Sequence, residues 1–354
     1  MVLTIKMNNF LKLTNTTPKL NFKDVLIVPH GVSMVSSRRQ VSLECNFSFT
    51  MKNRNLGWKG VPIISSNMDT VTDLNTFDIL SKENYISCFP KYLNEKWLND
   101  IQLPPQLEQT DYYMLSCGIN DYITATQLIK RLKDHNINVK FLCIDTPNGY
   151  LSELQDITLC IRNYFPDLII IAGNVVTPEI TYDLIKYSGV NIVKCGIGSG
   201  AVCDTRIKTG VGYPQLSAIL ECSEAAHEAD GYLMSDGGIG SPSDVAKAFA
   251  GGADFVMCGN IFACHKESPG ESVIVDEKEY KSFYGMSSQK ANEKYAGGLK
   301  GYRTSEGSEV LIPAKGYLLD TIKDINGGLR SACAYLNSSN LDEFYFNSKF
   351  IKIN

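Results

Sequence analysis

Cys203 stands where an apolar run gives way to a glycine-rich turn, in Lys194-Cys195-Gly196-Ile197-Gly198-Ser199-Gly200-Ala201-Val202-Cys203-Asp204-Thr205-Arg206. Most of the other ten cysteines lie inside apolar runs, where a thiol behaves as a small hydrophobe. Cys203 instead has Arg206 and Lys208 close by in sequence, and nearby cations favour the thiolate, the nucleophilic form. The chemistry to expect of such a residue is covalent attack on an electrophile. Further polar residues follow other apolar runs: Ser65-Ser66-Asn67-Met68-Asp69, Asp145-Thr146-Pro147-Asn148-Gly149, Gly173-Asn174, Ser235-Asp236-Gly237-Gly238 and Gly259-Asn260. Any one of these suits an ordinary tight turn. As a set, each at the same end of its run, they read as the rim of a site.

The elements that must hold this rim follow from periodicity. Short runs, mostly apolar on both faces, recur at 61–66, 85–89, 112–117, 139–145, 168–173, 191–196, 232–236 and 254–259, as expected of buried parallel strands. Helical segments alternate with them. One spans 123–135 with Ile123, Leu128 and Leu132 on its stripe, and another spans 151–164. Pro178 and Ser241-Pro242 mark further helix starts, and a last helix is expected near 317–335. Eight strands alternating with helices predict an α/β fold, a (β/α)8 TIM barrel, whose chemistry sits at the C-terminal strand ends. Residues 1–354 read as a single domain, with about 1–20 as an N-terminal extension and about 268–312 as a mobile flap inserted after strand eight. Residues 22–29 could add a strand covering the barrel bottom.

The loops after strands seven and eight, Asp236-Gly237-Gly238 and Gly259-Asn260, suit a phosphate held by backbone N–H groups and a helix N-terminus. Gly196-x-Gly198-x-x-Ala201 matches a dinucleotide fingerprint in letters only. That fingerprint needs a helix opening immediately after the glycines, and the segment 204–214 that follows carries Gly210, Gly212 and Pro214.

Bulk properties exclude other classes. The 354 residues are 44% hydrophobic, and the net charge of −4 argues against nucleic acid as a partner. No run approaches the length of a membrane span, so no membrane partner is expected. Eleven cysteines with no Cys-x-x-Cys pair suit reduced cytoplasmic thiols. The four histidines, His30, His135, His227 and His265, are scattered, so no zinc is expected.

Ser65-Ser66-Asn67-Met68-Asp69-Thr70-Val71, the turn from Gly196 through Cys203, Thr209-Gly210-Val211-Gly212-Tyr213-Pro214-Gln215, Ser235-Asp236-Gly237-Gly238 and Tyr284-Gly285-Met286-Ser287-Ser288 together resemble the IMP dehydrogenase/GMP reductase family. The resemblance runs from about Leu20 to the C-terminus. Dehydrogenases of the family usually carry regulatory CBS modules after the first helix, and here Asp69 reaches Tyr85 with no room for them. Lys294-Tyr295-Ala296-Gly297-Gly298 and Tyr302-Arg303-Thr304-Ser305-Glu306-Gly307 are similar to the reductase branch.

What the resemblance implies is specific. GMP and NADPH would give IMP, ammonia and NADP⁺ in purine interconversion, through a Cys203 thioimidate, with Thr205 and Glu306 protonating the leaving ammonia. GMP would contact Asp236, Gly237, Gly238, Gly259, Asn260, Gly285, Met286, Ser287, Arg303, Thr304, Ser305 and Gly307. NADPH would contact Ser37, Arg38, Lys91, Asp145, Thr146, Pro147, Ile197, Gly198, Met286, Ser331, Ala332, Cys333 and Ala334. Carbonyls of Gly198, Gly200 and Cys203, with Arg206 nearby, would hold a monovalent cation such as K⁺. A cytoplasmic homotetramer is implied as well. Four positions depart from the family pattern: Ser199 replaces proline, Asp204 threonine, Pro147 alanine and Asn260 glycine. Asp204 adds a negative charge that opposes thiolate formation. The alternatives are an IMP dehydrogenase-like oxidoreductase and a non-enzymatic purine-nucleotide-binding protein.

Overall fold

The computed structural model describes residues 17–353 apart from Lys52, Asn53 and Gln109, so only 17–20 of the expected extension can be followed. Every one of the eight apolar runs forms a strand: Ile63–Ser65, Ile86–Cys88, Tyr113–Cys117, Phe141–Asp145, Ile169–Val175, Ile192–Cys195, Tyr232–Asp236 and Phe255–Cys258. They pair in parallel in chain order and close on themselves, with Val256 opposite Ile63. This is the (β/α)8 barrel.

Strand side chains alternate between two compartments. Phe141, Cys143, Ile169, Ile171, Ile192, Met234 and Phe255 fill the barrel interior. Leu142, Ile144, Ile170, Ala172 and Val193 face the shell between strands and helices. Two residues further along the inward column come Asp145, Lys194 and Asp236. The same alternation that builds the apolar interior therefore delivers three charged side chains to the barrel mouth.

The surrounding helices are α1 (Leu74–Leu80), α2 (Tyr92–Asn99), α3 (Tyr122–Asp134), α4 (Ser152–Tyr164), α5 (Pro178–Lys186), the short α6 (Thr205–Thr209), α7 (Gln215–Glu228) and α8 (Pro242–Ala250). Between Asp69 and Tyr85 lie only α1, capped by Asp73, and a 3-10 turn. Helix α3 differs from expectation in its face. It buries Ala125, Leu128, Ile129 and Leu132, while Ile123 is exposed because it sits in the first turn, off that stripe.

Two segments fall elsewhere than expected. A strand does form in 22–29, at Val25–Ile27, but it pairs antiparallel with Phe350–Lys352 on the flank of the barrel. The bottom is covered instead by the hairpin of Cys45–Met51 and Arg54–Gly60. Its Phe47, Phe49 and Trp58 pack on Phe141, Tyr232 and Phe255, which open strands four, seven and eight. Aromatic area seals a barrel end better than the three-residue strand could.

The insertion after strand eight carries a three-stranded antiparallel sheet, Ser272–Val275, Lys278–Tyr284 and Glu309–Pro313, with α9 (Gln289–Ala296) between its last two strands. Helices α10 (Leu318–Tyr335) and α11 (Leu341–Asn347) complete the chain. Among the described residues, no helix is long and apolar enough to cross a membrane.

Candidate active site

A cavity of about 600 Å³ opens at the C-terminal ends of the strands. Its wall includes Cys203, which the glycine turn presents: the Cys203 N–H donates to the Gly200 carbonyl at 3.1 Å. Two glycines in this rim have backbones that other residues rarely adopt. Gly196 has φ +148°, and a Cβ there would fall 2.0 Å from the Asp236 carbonyl oxygen. Gly237, at φ +97°, would set a Cβ 2.3 Å from Ser199 Oγ. Gly196→Ala is therefore expected to cost about 2–4 kcal/mol of stability, read as a lowered midpoint of thermal unfolding.

Three side chains form a hydrogen-bonded line. The Cys203 thiol donates to Thr205 Oγ1 at 3.3 Å, and the Thr205 hydroxyl donates to Glu306 Oε2 at 2.9 Å. Glu306 comes from the insertion, a hundred residues away in sequence, and backbone pairing puts it there. The Asp204 N–H donates to the Glu306 carbonyl at 2.8 Å, and the Ser308 N–H to the Val202 carbonyl at 3.1 Å. Cys203 and Gly307 form an antiparallel bridge between these bonds. The acid and the thiol thus share one short ladder.

The cavity also meets a second cysteine, Cys117. Burial pushes the Cys117 thiol well above its usual range, so it remains protonated and inert. Cys203 is only partly buried.

Beneath the cavity lies an ionic cluster. Lys194, 3% exposed, places its ammonium 2.8 Å from Asp145 Oδ1 and in contact with Asp236 Oδ2. Asn67 Nδ2 donates to Asp145 Oδ2 at 2.9 Å, and Asn174 Nδ2 to Asp236 Oδ2 at 2.8 Å. Burial disfavours both charges, but each partner more than compensates: the Asp145 carboxyl is held below its ordinary value and the Lys194 ammonium above its own. Asn174 reaches the cluster from a bulge in strand five, where the ladder skips from Gly173 to Val175.

The phosphate-type turn is present too. Gly237 and Gly238 (φ +77°) line the cavity, and among the described residues no hydrogen bond uses either N–H. The N-terminus of α8 does not join them: Asp244 accepts from the Gly240 N–H and from the Ser241 hydroxyl. Two buried polar atoms on the cavity wall, Ser66 Oγ and Asn174 Oδ1, have no partner. Such groups are costly unless a ligand or water meets them.

Most of the expected residues come together. Cys203, Thr205, Glu306, Asp236, Gly237, Gly238, Gly259, Asn260, Gly285, Met286, Ser287 and Gly307 line the cavity, as do Lys91, Asp145, Thr146, Pro147, Ile197, Gly198 and Gly200. Arg303, Thr304 and Ser305 do not. They lie on the outer part of the insertion, with Arg303 and Thr304 exposed. Ser37 and Arg38 are exposed at a 3-10 turn packed on α10, the helix of Ser331, Ala332, Cys333 and Ala334, away from the cavity wall. Arg206 lies behind the turn, its stem against Gly198 and Gly212 and its guanidinium donating to the Tyr213 carbonyl. Lys91 pairs with Asp121 at 2.8 Å.

Of the departures, Ser199 alone is explained by its side chain, while Asp204 and Asn260 take part through backbone groups that nearly any residue supplies and nothing in the structure explains Pro147. The Ser199 hydroxyl donates to the Asp236 carbonyl at 3.2 Å, a bond proline could not make. Asp204 contributes its N–H to the Glu306 ladder. The Asn260 carbonyl is held by Lys315 at 2.7 Å. Of the histidines, His227 pairs with Asp254, and His265 is buried between the Phe262 carbonyl and the Thr321 hydroxyl.

Wall residues that were not singled out from the sequence include Lys194, Tyr92 and Phe283. Lys194 left a signal, since a charge inside a buried strand must be paired. Tyr92 left none. It stacks on Tyr295 of α9 with ring centroids 3.5 Å apart. Asp69 Oδ2 accepts from Tyr284 at 2.6 Å, from Lys294 at 2.8 Å and from Tyr295. Burial and Asp69 together push the Tyr295 phenol up to about 12, so it stays a donor. These contacts fasten the insertion over the barrel. Asp69→Ala is expected to lower kcat/KM about tenfold by loosening the segment that carries Glu306, checked by steady-state kinetics.

Comparison with known proteins agrees with this geometry. Residues 19–354 match the family model described as IMP dehydrogenase / GMP reductase domain. Over 338 residues the chain is 46% identical to a GMP reductase of Buchnera aphidicola subsp. Acyrthosiphon pisum, covering 95% of this chain and 94% of that protein. It is 44% identical to the GMP reductase of Shewanella pealeana over 337 residues, 95% of each chain. It is also 44% identical to that of Vibrio vulnificus over 336 residues, 95% of this chain and 94% of the relative. With a closed barrel, a thiol on the turn after strand six and a match across nearly its whole length, the chain belongs to the IMP dehydrogenase/GMP reductase family of enzymes.

Proposed function

We propose that the chain is an NADPH-dependent GMP reductase, converting GMP to IMP with release of ammonia. The observation that carries this reading is the line Cys203–Thr205–Glu306 at the cavity wall. C2 of guanine bears an amino group and is electrophilic when the ring is protonated. The Cys203 sulfur adds to C2, forming a C–S bond. Ammonia is expelled as the C2–N bond breaks, leaving a thioimidate on Cys203. Amide-like nitrogen leaves poorly unless protonated. The Cys203 thiol proton passes through the Thr205 hydroxyl to the Glu306 carboxylate, which hands it on to the leaving nitrogen. NADPH, when bound, supplies the hydride that C2 needs for IMP and the thiol to separate.

The rest of the cavity supports the same substrate. The unused N–H groups of Gly237 and Gly238 suit the 5′-phosphate. Asp236 keeps one carboxylate oxygen for the ribose hydroxyls. Asp145, Thr146 and Pro147 with Lys91 also line the cavity and are proposed for the nicotinamide. The orphaned Ser66 Oγ and Asn174 Oδ1 fit a polar ligand. Ser37 and Arg38 with Ser331 to Ala334 are proposed for the outer part of NADPH, and Arg303 to Ser305 for GMP once the insertion settles on it. The carbonyls of Gly198, Gly200 and Cys203 are hard oxygen donors on one turn and suit K⁺. A cytoplasmic homotetramer completes the reading. Met34, Phe346 and Tyr335 are exposed near the joined chain ends, a surface suited to contact between copies.

The test supplies GMP with NADPH and, separately, IMP with NAD⁺, and follows the cofactor. NADPH oxidation that depends on GMP supports the reading. NAD⁺ reduction with IMP alone would make the chain a dehydrogenase, and nucleotide binding without turnover a non-enzymatic binder.

A further inference from the structure

We propose that Lys194 is a positioning residue that ties the two ligand sites together: its single buried ammonium aims both Asp145, on the cofactor wall, and Asp236, on the ribose wall. The assignment of those two carboxylates to their ligands rests on the function proposed above. The tie itself rests on geometry.

Asp145, Lys194 and Asp236 come from strands four, six and seven. Strand five runs between the first two, and the residue opposite both Asp145 and Lys194 is Gly173. A Cβ at Gly173 would fall 2.8 Å from Lys194 Cβ and 2.3 Å from its carbonyl oxygen. The glycine leaves the gap through which the lysine stem crosses to Asp145. The ammonium then has a carboxylate on each side, and Asn67 and Asn174 hold the far edges of the pair. Both oxygens of Asp145 and one of Asp236 are engaged, so rotation of either carboxylate would break a bond to Lys194 or to an amide.

The remaining ionisable groups around the cluster are few. Cys143 and Cys88 lie below it in the barrel interior, Lys91 faces Asp145 from the rim, and Cys117, Cys195 and Cys258 on the flanking strands bear on the two carboxylates with thiols pushed up from their ordinary values. Burial keeps the Cys88 thiol neutral. Lys194 is therefore the cation that both carboxylates share. Without it two half-buried carboxylates would face one another, and their repulsion would favour keeping a proton on one of them.

The experiment compares Lys194→Met and Lys194→Gln with Asp145→Asn and Asp236→Asn. Dissociation constants for GMP and NADPH are measured separately by equilibrium titration, alongside KM and kcat between pH 6 and 9. Lys194→Met is expected to weaken both ligands by about tenfold or more, as loss of one member of a buried charge network does. Its GMP affinity should also acquire a pH dependence in that range beyond the one that the phosphate of GMP gives the wild type. Lys194→Gln, which can still donate to one carboxylate, should recover part of one affinity. Asp145→Asn should weaken GMP as well as NADPH, because the ammonium then turns fully to Asp236. This variant tests the tie even if neither lysine variant folds. Weakening of a single ligand by Lys194→Met, an unshifted pH profile, or unchanged GMP affinity in Asp145→Asn would overturn the proposal. Failure of the functional reading would look different: the wild type itself would not oxidise NADPH with GMP, whatever the variants do to binding.

Discussion

Cys203→Ala loses turnover by a factor on the order of 10⁴ or more while GMP still binds. The side chain is partly exposed at a wall of the cavity, on a turn whose shape is set by backbone. Removing the sulfur leaves the Gly200 turn and the bridge to Gly307 in place, because neither uses the side chain. Substrate contacts at Gly237 and Gly238 are likewise untouched. The loss should therefore fall on kcat, with the dissociation constant for GMP within about threefold of wild type, as for a group that acts only in the chemical step. Calorimetric titration with GMP and a cofactor assay check the two halves. Turnover near the wild-type rate would remove Cys203 as the nucleophile. Cys117 offers no substitute, since its thiol is buried and held neutral.

Glu306→Gln separates the two half-reactions. Its carboxylate accepts from Thr205, and an amide in its place cannot hand over the proton that ammonia needs. The deamination half is expected to fall by about 10²–10⁴. The hydride half, run backwards from IMP and NADP⁺, forms the same thioimidate without ammonia and should fall far less. The control lies in the backbone. Glu306 docks through its carbonyl and the neighbouring Ser308 N–H, so the amide variant keeps the ladder to Asp204 and Val202. Equal losses in both directions would assign Glu306 to closing the insertion rather than to acid catalysis.

The barrel was legible because its strands are buried on both faces. Phe141 through Asp145 or Ile169 through Val175 look like little else. The rim was legible for a related reason: turn residues at one end of each strand share a surface once the strands are parallel. What escaped notice was pairing between distant segments. Ser272–Val275 is mostly exposed, so its sheet carries no alternating signal of burial. The bottom hairpin alternates in both strands, with Phe47 and Phe49 on one and Leu56 and Trp58 on the other, but alternation alone does not say which end of the barrel it covers. Lys194 shows the limit most clearly. One lysine in an apolar run announces that a partner exists, but only the closed sheet shows that there are two, on strands four and seven.

The aromatic hairpin beneath the barrel closes the end opposite the site. Phe49, Trp58, Phe141 and Phe255 stop the axis below the ionic cluster. The mouth, the route the ligands take, is where water meets Lys194 and its two carboxylates. An occupied mouth therefore works as a cork. It drains the well beneath it, and the charges there attract one another more strongly as the local polarisability falls. Occupancy and rigidity of the floor should rise together, with no moving part beneath the ligands.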